Sequence, residues 1–258
     1  MESLSFIETS MEDKIGFITL NRPKQYNALN RQMIREIVAA AEEFDDNPHV
    51  QVILLSGNGQ AFSAGADIEE MAGEGAVQME LGNQFADWDR LSLIKKPIIG
   101  AVKGYVLGGG FELALACDLL IAGSDTRFSF PEVTLGVMPG AGGTQRLTKL
   151  VGKTKALEWM LTAERIDAET ALGYGIINRI TEPENVLEEA RAMAGKIAVQ
   201  APLAVRLIKE SVHKAVDYSL YEGMQYERKN FYMLFASEDQ REGMRAFAEK
   251  RKPNFTGR

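Results

Sequence analysis

Gly104-Tyr105-Val106-Leu107-Gly108-Gly109-Gly110-Phe111-Glu112-Leu113-Ala114-Leu115-Ala116 is the stretch that decides the fold. The apolar run from Pro97 to Tyr105 reads as a strand and residues 110–117 as a helix. Three consecutive glycines between them allow a tight turn and a close approach of main chain to ligand. The first amides of a helix have no partner inside it and sit at the positive end of its dipole, where negative charge is favoured. A plainer reading, a turn with close helix packing, accounts for the glycines equally well. Glu112 weighs against it, because it is the only charge between Lys103 and Asp118. A carboxylate in so apolar a run is costly to bury unless it is paired or used. Burial would lift its pKa toward the range that suits acid and base chemistry near neutral pH.

Outward from this stretch, Phe128-Ser129-Phe130-Pro131-Glu132-Val133 places a second carboxylate among apolar residues, followed by Pro139-Gly140-Ala141-Gly142-Gly143-Thr144. Two such carboxylates, each near a glycine turn, suit a pair that divides acid and base roles. A salt bridge or helix cap for each remains the alternative. A third glycine site is Phe62-Ser63-Ala64-Gly65-Ala66-Asp67-Ile68, where Asp67 is placed to cap a short helix and an amide could reach a ligand.

Strands alternate with helices through the first half, which predicts an α/β fold with parallel pairing. Strands are expected over Ile15 to Leu20, Val52 to Leu55 and Asp118 to Ala122. Helices are expected from Arg31 to Phe44, with Asn30 as N-cap, and from Val77 to Ile94. From Gly142 onward nearly everything reads as helix, most clearly residues 191–200, 202–216 and 239–250. The expected organisation is a core over residues 1–196 and a helical region over 197–258.

At 258 residues the chain is long enough for one large α/β core with a helical appendage. A net charge of −7 counts against a nucleic-acid partner. The one cysteine, Cys117, cannot form an internal disulfide, which fits a reducing compartment. Residues 1–10 carry Glu2 and Glu8 with no Lys or Arg, unlike a signal peptide. No uncharged apolar window is long enough to span a membrane, so a cytoplasmic location is expected. Only two histidines exist, His49 and His213, both read as structural or surface residues. Ser63 lacks the first glycine of a nucleophile elbow. Zinc spacing, a complete phosphate loop and a dinucleotide fingerprint are all missing, so NTP hydrolysis and dinucleotide redox chemistry lack support. The last 53 residues, from Arg206, carry a charge of +3. They read as a solvated helical face or as a cationic patch, Lys250-Arg251-Lys252, for an anionic ligand.

These motifs, together with Leu135-Gly136, Gln145-Arg146-Leu147 and Glu249-Lys250-Arg251-Lys252-Pro253-Asn254-Phe255, closely resemble the crotonase superfamily, and within it the enoyl-CoA hydratases. The resemblance runs from about Ile15 to the C-terminus. It implies a spiral of ββα turns followed by a helical trimerisation region, and a homotrimer or a homohexamer built from two trimers. It implies an acyl-CoA thioester substrate whose carbonyl accepts from the amides of Ala66 and Gly109, an oxyanion hole. It implies no cofactor or metal, in agreement with the missing metal and dinucleotide motifs. Glu112 and Glu132 match the family's two catalytic glutamates, which points to hydration rather than to a Δ3-Δ2-enoyl-CoA isomerase. A hydratase for aromatic-catabolic acyl-CoAs and a non-catalytic or RNA-binding relative are the other readings. Ala64, Asp67 and Ile68 match the adenine-binding segment, and Gly140 a position beside the acyl group. Met71 and Trp88 match the acyl-pocket wall, where plain core is the alternative. Lys24 and Lys250 match CoA phosphate contacts, the latter from a neighbouring subunit. Glu69 departs from the pattern, since many relatives carry Lys there.

Overall fold

The computed structural model describes residues 4–258, so Glu2 lies outside the described residues. The chain opens with β1 (Ile7–Glu12), β2 (Ile15–Leu20), α1 (Arg31–Asp46) and β3 (Val52–Gly57). Three short helices follow, α2 (Ile68–Met71), α3 (Ala76–Gly82) and α4 (Ala86–Leu91). Next come β4 (Ile98–Val102), β5 (Tyr105–Leu107), α5 (Gly109–Ala116), β6 (Leu119–Gly123) and β7 (Arg127–Ser129). Then come α6 (Gly143–Val151), α7 (Lys153–Thr162), β8 (Ile166–Asp167), α8 (Ala168–Gly173), β9 (Arg179–Thr181) and α9 (Val186–Ala198). The chain ends with α10 (Pro202–Ala215), α11 (Leu220–Leu234) and α12 (Glu238–Ala248).

The strands form two sheets, β1-β2-β3-β4-β6-β9 and β5-β7-β8. In the larger sheet only β1 and β2 pair antiparallel, through the turn at Asp13-Lys14. Its remaining pairs are parallel. Through the middle of the chain, successive turns each add one strand to the large sheet, one to the small sheet and then a helix. Thus β4, β5 and α5 are followed by β6, β7 and α6. In the turn before them β3 leads to Ser63, which bridges Val106 in parallel, and then to α2. This is the expected ββα spiral.

Burial on both faces of the large sheet explains its unbroken apolar runs. Along β3, Ile53 and Leu55 face the main core, while Val52 and Leu54 face a second cluster. That cluster is covered by α9, whose Val186, Ala190, Ala194 and Ala198 recur every four residues. The small alanines let the helix lie close to the strands. Since α9 runs to Ala198, it passes through the boundary expected at 196.

Two expectations need correction. The strand expected over residues 97–105 is two strands in different sheets. Gly104, at φ +60°, makes the bend between them, and a Cβ there would fall 1.9 Å from the Gln60 carbonyl. The helix expected from Val77 to Ile94 is two helices. The break falls at Asn83, left-handed at φ +38°, whose amide bonds the Met79 and Glu80 carbonyls and closes α3. The second half is nearly all helix as expected, interrupted by β8 and β9, which are too short to show a period.

The helical C-terminus is fastened to the core by a polar contact. Asp118 follows α5. Its Oδ2 accepts from the Ile98 amide at 2.7 Å and pairs with Lys209 at 2.7 Å, while its Oδ1 lies 2.9 Å from Nε2 of His213. Lys209 and His213 stand one turn apart on α10, so His213 has the structural role expected of it. His49 lies in an exposed loop, its amide bonded to Asn47. Burial alone would raise the Asp118 pKa, but the bonds from His213, Lys209 and the Ile98 amide outweigh it and hold it below the usual carboxylate range. A carboxyl with a depressed folded pKa stabilises above its unfolded pKa and loses that contribution as pH falls through its folded one. Asp118→Asn should therefore cost about 3 kcal/mol at pH 7, measured by urea unfolding, and the gap to wild type should shrink in acid.

Candidate active site

Gly108 sits at φ +49°, ψ −124°, a conformation that favours glycine, and turns the chain from β5 into α5. Its amide donates to the Ser129 carbonyl at 2.9 Å, which ties the start of α5 to the end of β7. Phe111 stacks on Phe130 with centroids 4.7 Å apart, and it also meets Phe128 at 5.0 Å. Each carboxylate of interest lies next to this aromatic cluster in sequence, Glu112 after Phe111 and Glu132 two residues after Phe130. The packing thus fixes both backbones against one another.

Glu112 is 4% exposed. Its Oε1 accepts from the amides of Ala141 at 2.7 Å and Gly143 at 2.8 Å. Burial pushes its pKa up, while the amides of Gly143, Ala141 and Gly140 and the charge of Arg146 oppose the rise. Glu132 opens a 3-10 turn, Glu132–Leu135, after Pro131. Its Oε2 is buried and, among the described residues, has no hydrogen-bond partner. A Cβ on Gly108 would lie 3.0 Å from the Glu132 Oε1. Burial drives the Glu132 pKa up to about 7, its own amide acts against this, and the charge of Glu112 adds to it. The two carboxyls therefore differ: Glu112 is held by amides of the 140–143 loop, while Oε2 of Glu132 has no partner among the described residues.

Gly109 is the first residue of α5, so its amide has no partner in the helix. A Cβ on Gly109 would lie 3.4 Å from the Ala66 amide nitrogen, so the two amides are neighbours. The loop carrying Ala66 is held by main-chain bonds on either side. The Leu29 amide donates to the Gly65 carbonyl and the Asp67 amide to the Leu29 carbonyl.

The structure thus brings Glu112, Glu132, Ala66, Gly109 and Gly140 together. Ala64 lies beside them, its amide bonded to the Tyr26 carbonyl at 2.9 Å, two residues from the exposed Lys24. Ile68 and Met71 begin and end α2, and Ile68 is exposed. Trp88, on α4, packs against the main core. Asp67 precedes α2, but its side chain makes no cap bond. It pairs instead with Arg22 at 3.0 Å, which corrects the expected capping role. Lys250 stands past the end of α12, exposed, its amide bonded to Phe247. The Cys117 thiol is buried and pushed up to about 12, so it has no nucleophilic part. Sequence reading missed Ala141 and Gly143 as donors to Glu112, although the glycine run at 140–143 pointed to that loop. It also missed Phe85, whose ring would be 2.6 Å from a Cβ on Gly140.

A family model described as enoyl-CoA hydratase/isomerase matches residues 10–258. The chain belongs to this family. Among enoyl-CoA hydratase/isomerase relatives, it is 47% identical to a probable enoyl-CoA hydratase, echA8, of Mycobacterium tuberculosis over 96% of both chains. It is 40% identical to 2,3-dehydroadipyl-CoA hydratase of Escherichia coli, over 99% of this chain and 100% of that one. A crystal structure of an enoyl-CoA hydratase subunit I of Geobacillus kaustophilus superposes with a TM-score of 0.97 at 61% identity, covering 98% and 99% of the two chains. The crotonase spiral and the family are thereby shown.

A raised folded pKa means that Glu132 prefers its protonated form in the fold, so its ionisation opposes folding as pH rises from the ordinary carboxylate value through about 7. Glu132→Gln should therefore have a higher Tm than wild type at pH 8. The two should converge below pH 4.5, as read by calorimetry.

Proposed function

We propose that the protein adds water, syn, across trans-2-enoyl-CoA thioesters to give 3-hydroxyacyl-CoA. The observation that carries this reading is the pair of unlike carboxyls, Glu112 and Glu132, beside the neighbouring amides of Ala66 and Gly109. The thioester oxygen accepts from the Ala66 and Gly109 amides, placed where negative charge develops. Water is held between Glu112 and Glu132. Glu112, its Oε1 already fixed by two amides, takes a proton from the water as the oxygen bonds to C3. The C2–C3 π electrons move toward the thioester to form an enolate. Glu132 then gives its proton to C2, and water between the carboxyls returns the proton from Glu112 to Glu132. Both groups act from one side, which makes the addition syn.

Every proton in this sequence comes from water or a glutamate, so no cofactor or metal is required. Glu132 must be protonated to act, so kcat/KM should fall as pH rises beyond about 7. An isomerase needs a single group to move a proton, and the unpartnered Glu132 favours hydration over it. A metabolic place in fatty-acid β-oxidation or related acyl-CoA breakdown follows from the reaction. Ala64, Asp67 and Ile68 line the adenine side through their backbone, with Lys24 and a neighbour's Lys250 on the phosphates. Gly140, Met71 and Trp88 border the acyl chain. The apolar side chains left exposed on the C-terminal helices support a homotrimer or a dimer of trimers, with Phe247 at 86% exposure the clearest. Among the described residues no helix is long and apolar enough to cross a membrane. That, with a single cysteine, supports a cytoplasmic location.

The deciding measurement is loss of the enoyl-thioester absorbance of crotonyl-CoA. Glu112→Gln and Glu132→Gln should each lose at least ~100-fold in kcat. Full activity in either variant would remove it from the mechanism.

A further inference from the structure

Between Phe62 and Leu91 no hydrophobic side chain is buried. Within this strap Trp88 packs partly against the core, while Val77, Leu81 and Phe85 are exposed. Polar ties hold the rest, and most lead to α1. The Arg31 amide donates to Glu70 Oε2 at 2.8 Å. Its guanidinium pairs with Glu74, and Nε and Nη2 both donate to Gln84 Oε1 at 3.2 Å. One residue thus grips the strap at α2, before α3 and before α4. Farther along α1, Arg35 lies 3.6 Å from Asp87, and Glu42 pairs with Arg90.

The strap begins beside the Ala66 amide and returns at Phe85, whose ring covers Gly140, the residue before the Ala141 donor to Glu112. An acyl chain with its thioester oxygen at Ala66 and its C3 at Glu112 therefore runs into the space the strap bounds. We infer that Arg31 determines acyl-chain specificity: its contacts to Glu70, Glu74 and Gln84 latch residues 68–90 closed, and the latch limits how long a chain the site accepts. This rests on the hydratase reading above. The limit follows from what the strap lacks. With no buried apolar anchor before Leu91 other than the partial one at Trp88, its closed position depends on charges that salt screens. A long chain must displace it, and the latch opposes that displacement. A short chain need not displace it.

The test compares kcat/KM for trans-2-dodecenoyl-CoA with that for crotonyl-CoA. In Arg31→Gln the ratio should rise about fivefold over wild type, since a pair of this exposure shifts a two-state balance by about that factor. Arg31→Lys should fall between. Wild type in 0.5 M KCl should move the same way, and Arg31→Gln should respond less to the salt. Hydrogen exchange of amides 68–90 should quicken in Arg31→Gln while that of α5 stays as in wild type. Glu74→Gln gives the same readout should Arg31→Gln fail to fold. A ratio that stays constant or falls, with hydration of crotonyl-CoA intact in wild type, overturns the latch alone. Absence of hydration by wild type at every chain length overturns the hydratase reading and the latch with it.

Discussion

Two carboxyl groups can share a small apolar pocket only if their environments are made unequal. Here the inequality comes from the main chain. The loop at 140–143 turns its amides onto Glu112, and nothing does the same for Oε2 of Glu132. That loop can face Glu112 because α6 starts at Gly143 and packs beside α5. The buried Phe111–Phe130 stack fixes the two segments that carry the pair. The fold around the site serves this asymmetry.

The site is also unequal in how its walls are held. One side is sheet and aromatic packing, whose displacement would expose buried apolar surface. The other side is a run of short helices kept in place by charged groups on α1. Interactions of the first kind resist deformation, and those of the second kind give way at small energetic cost. Stiffness is thus concentrated around the two carboxyls, and compliance along residues 68–90.

Much of this was legible in the sequence because it depends on local features. The triple glycine marked the turn into α5. The isolation of Glu112 in an apolar run marked a carboxyl that the fold buries, and Pro131-Glu132 marked the second one near it. Their match to a known family supplied the spiral fold. What stayed hidden depends on partners distant in sequence. The break at Asn83 needed left-handed geometry that a periodic apolar pattern conceals. The short strands β8 and β9 exist only because longer strands are there to pair with them. Asp67 looked like a cap, yet its carboxylate is taken by Arg22, 45 residues earlier. Arg31 was indistinguishable from any polar first residue of a helix.

The distance between the two glutamates is set by a ladder of three residue pairs, Tyr105 with Arg127, Val106 with Phe128 and Leu107 with Ser129. The ladder acts as a ruler, because Gly108 and Phe130 leave it from the same rung. A slip of one residue would move Glu132 by about 3.3 Å relative to α5 and turn its neighbours to the opposite face. The spacing of the two carboxyls therefore holds for as long as this pairing holds. It is intolerant of a frameshift within the ladder itself. The residues that set the spacing of the two carboxyls are thus strand residues outside the pair itself.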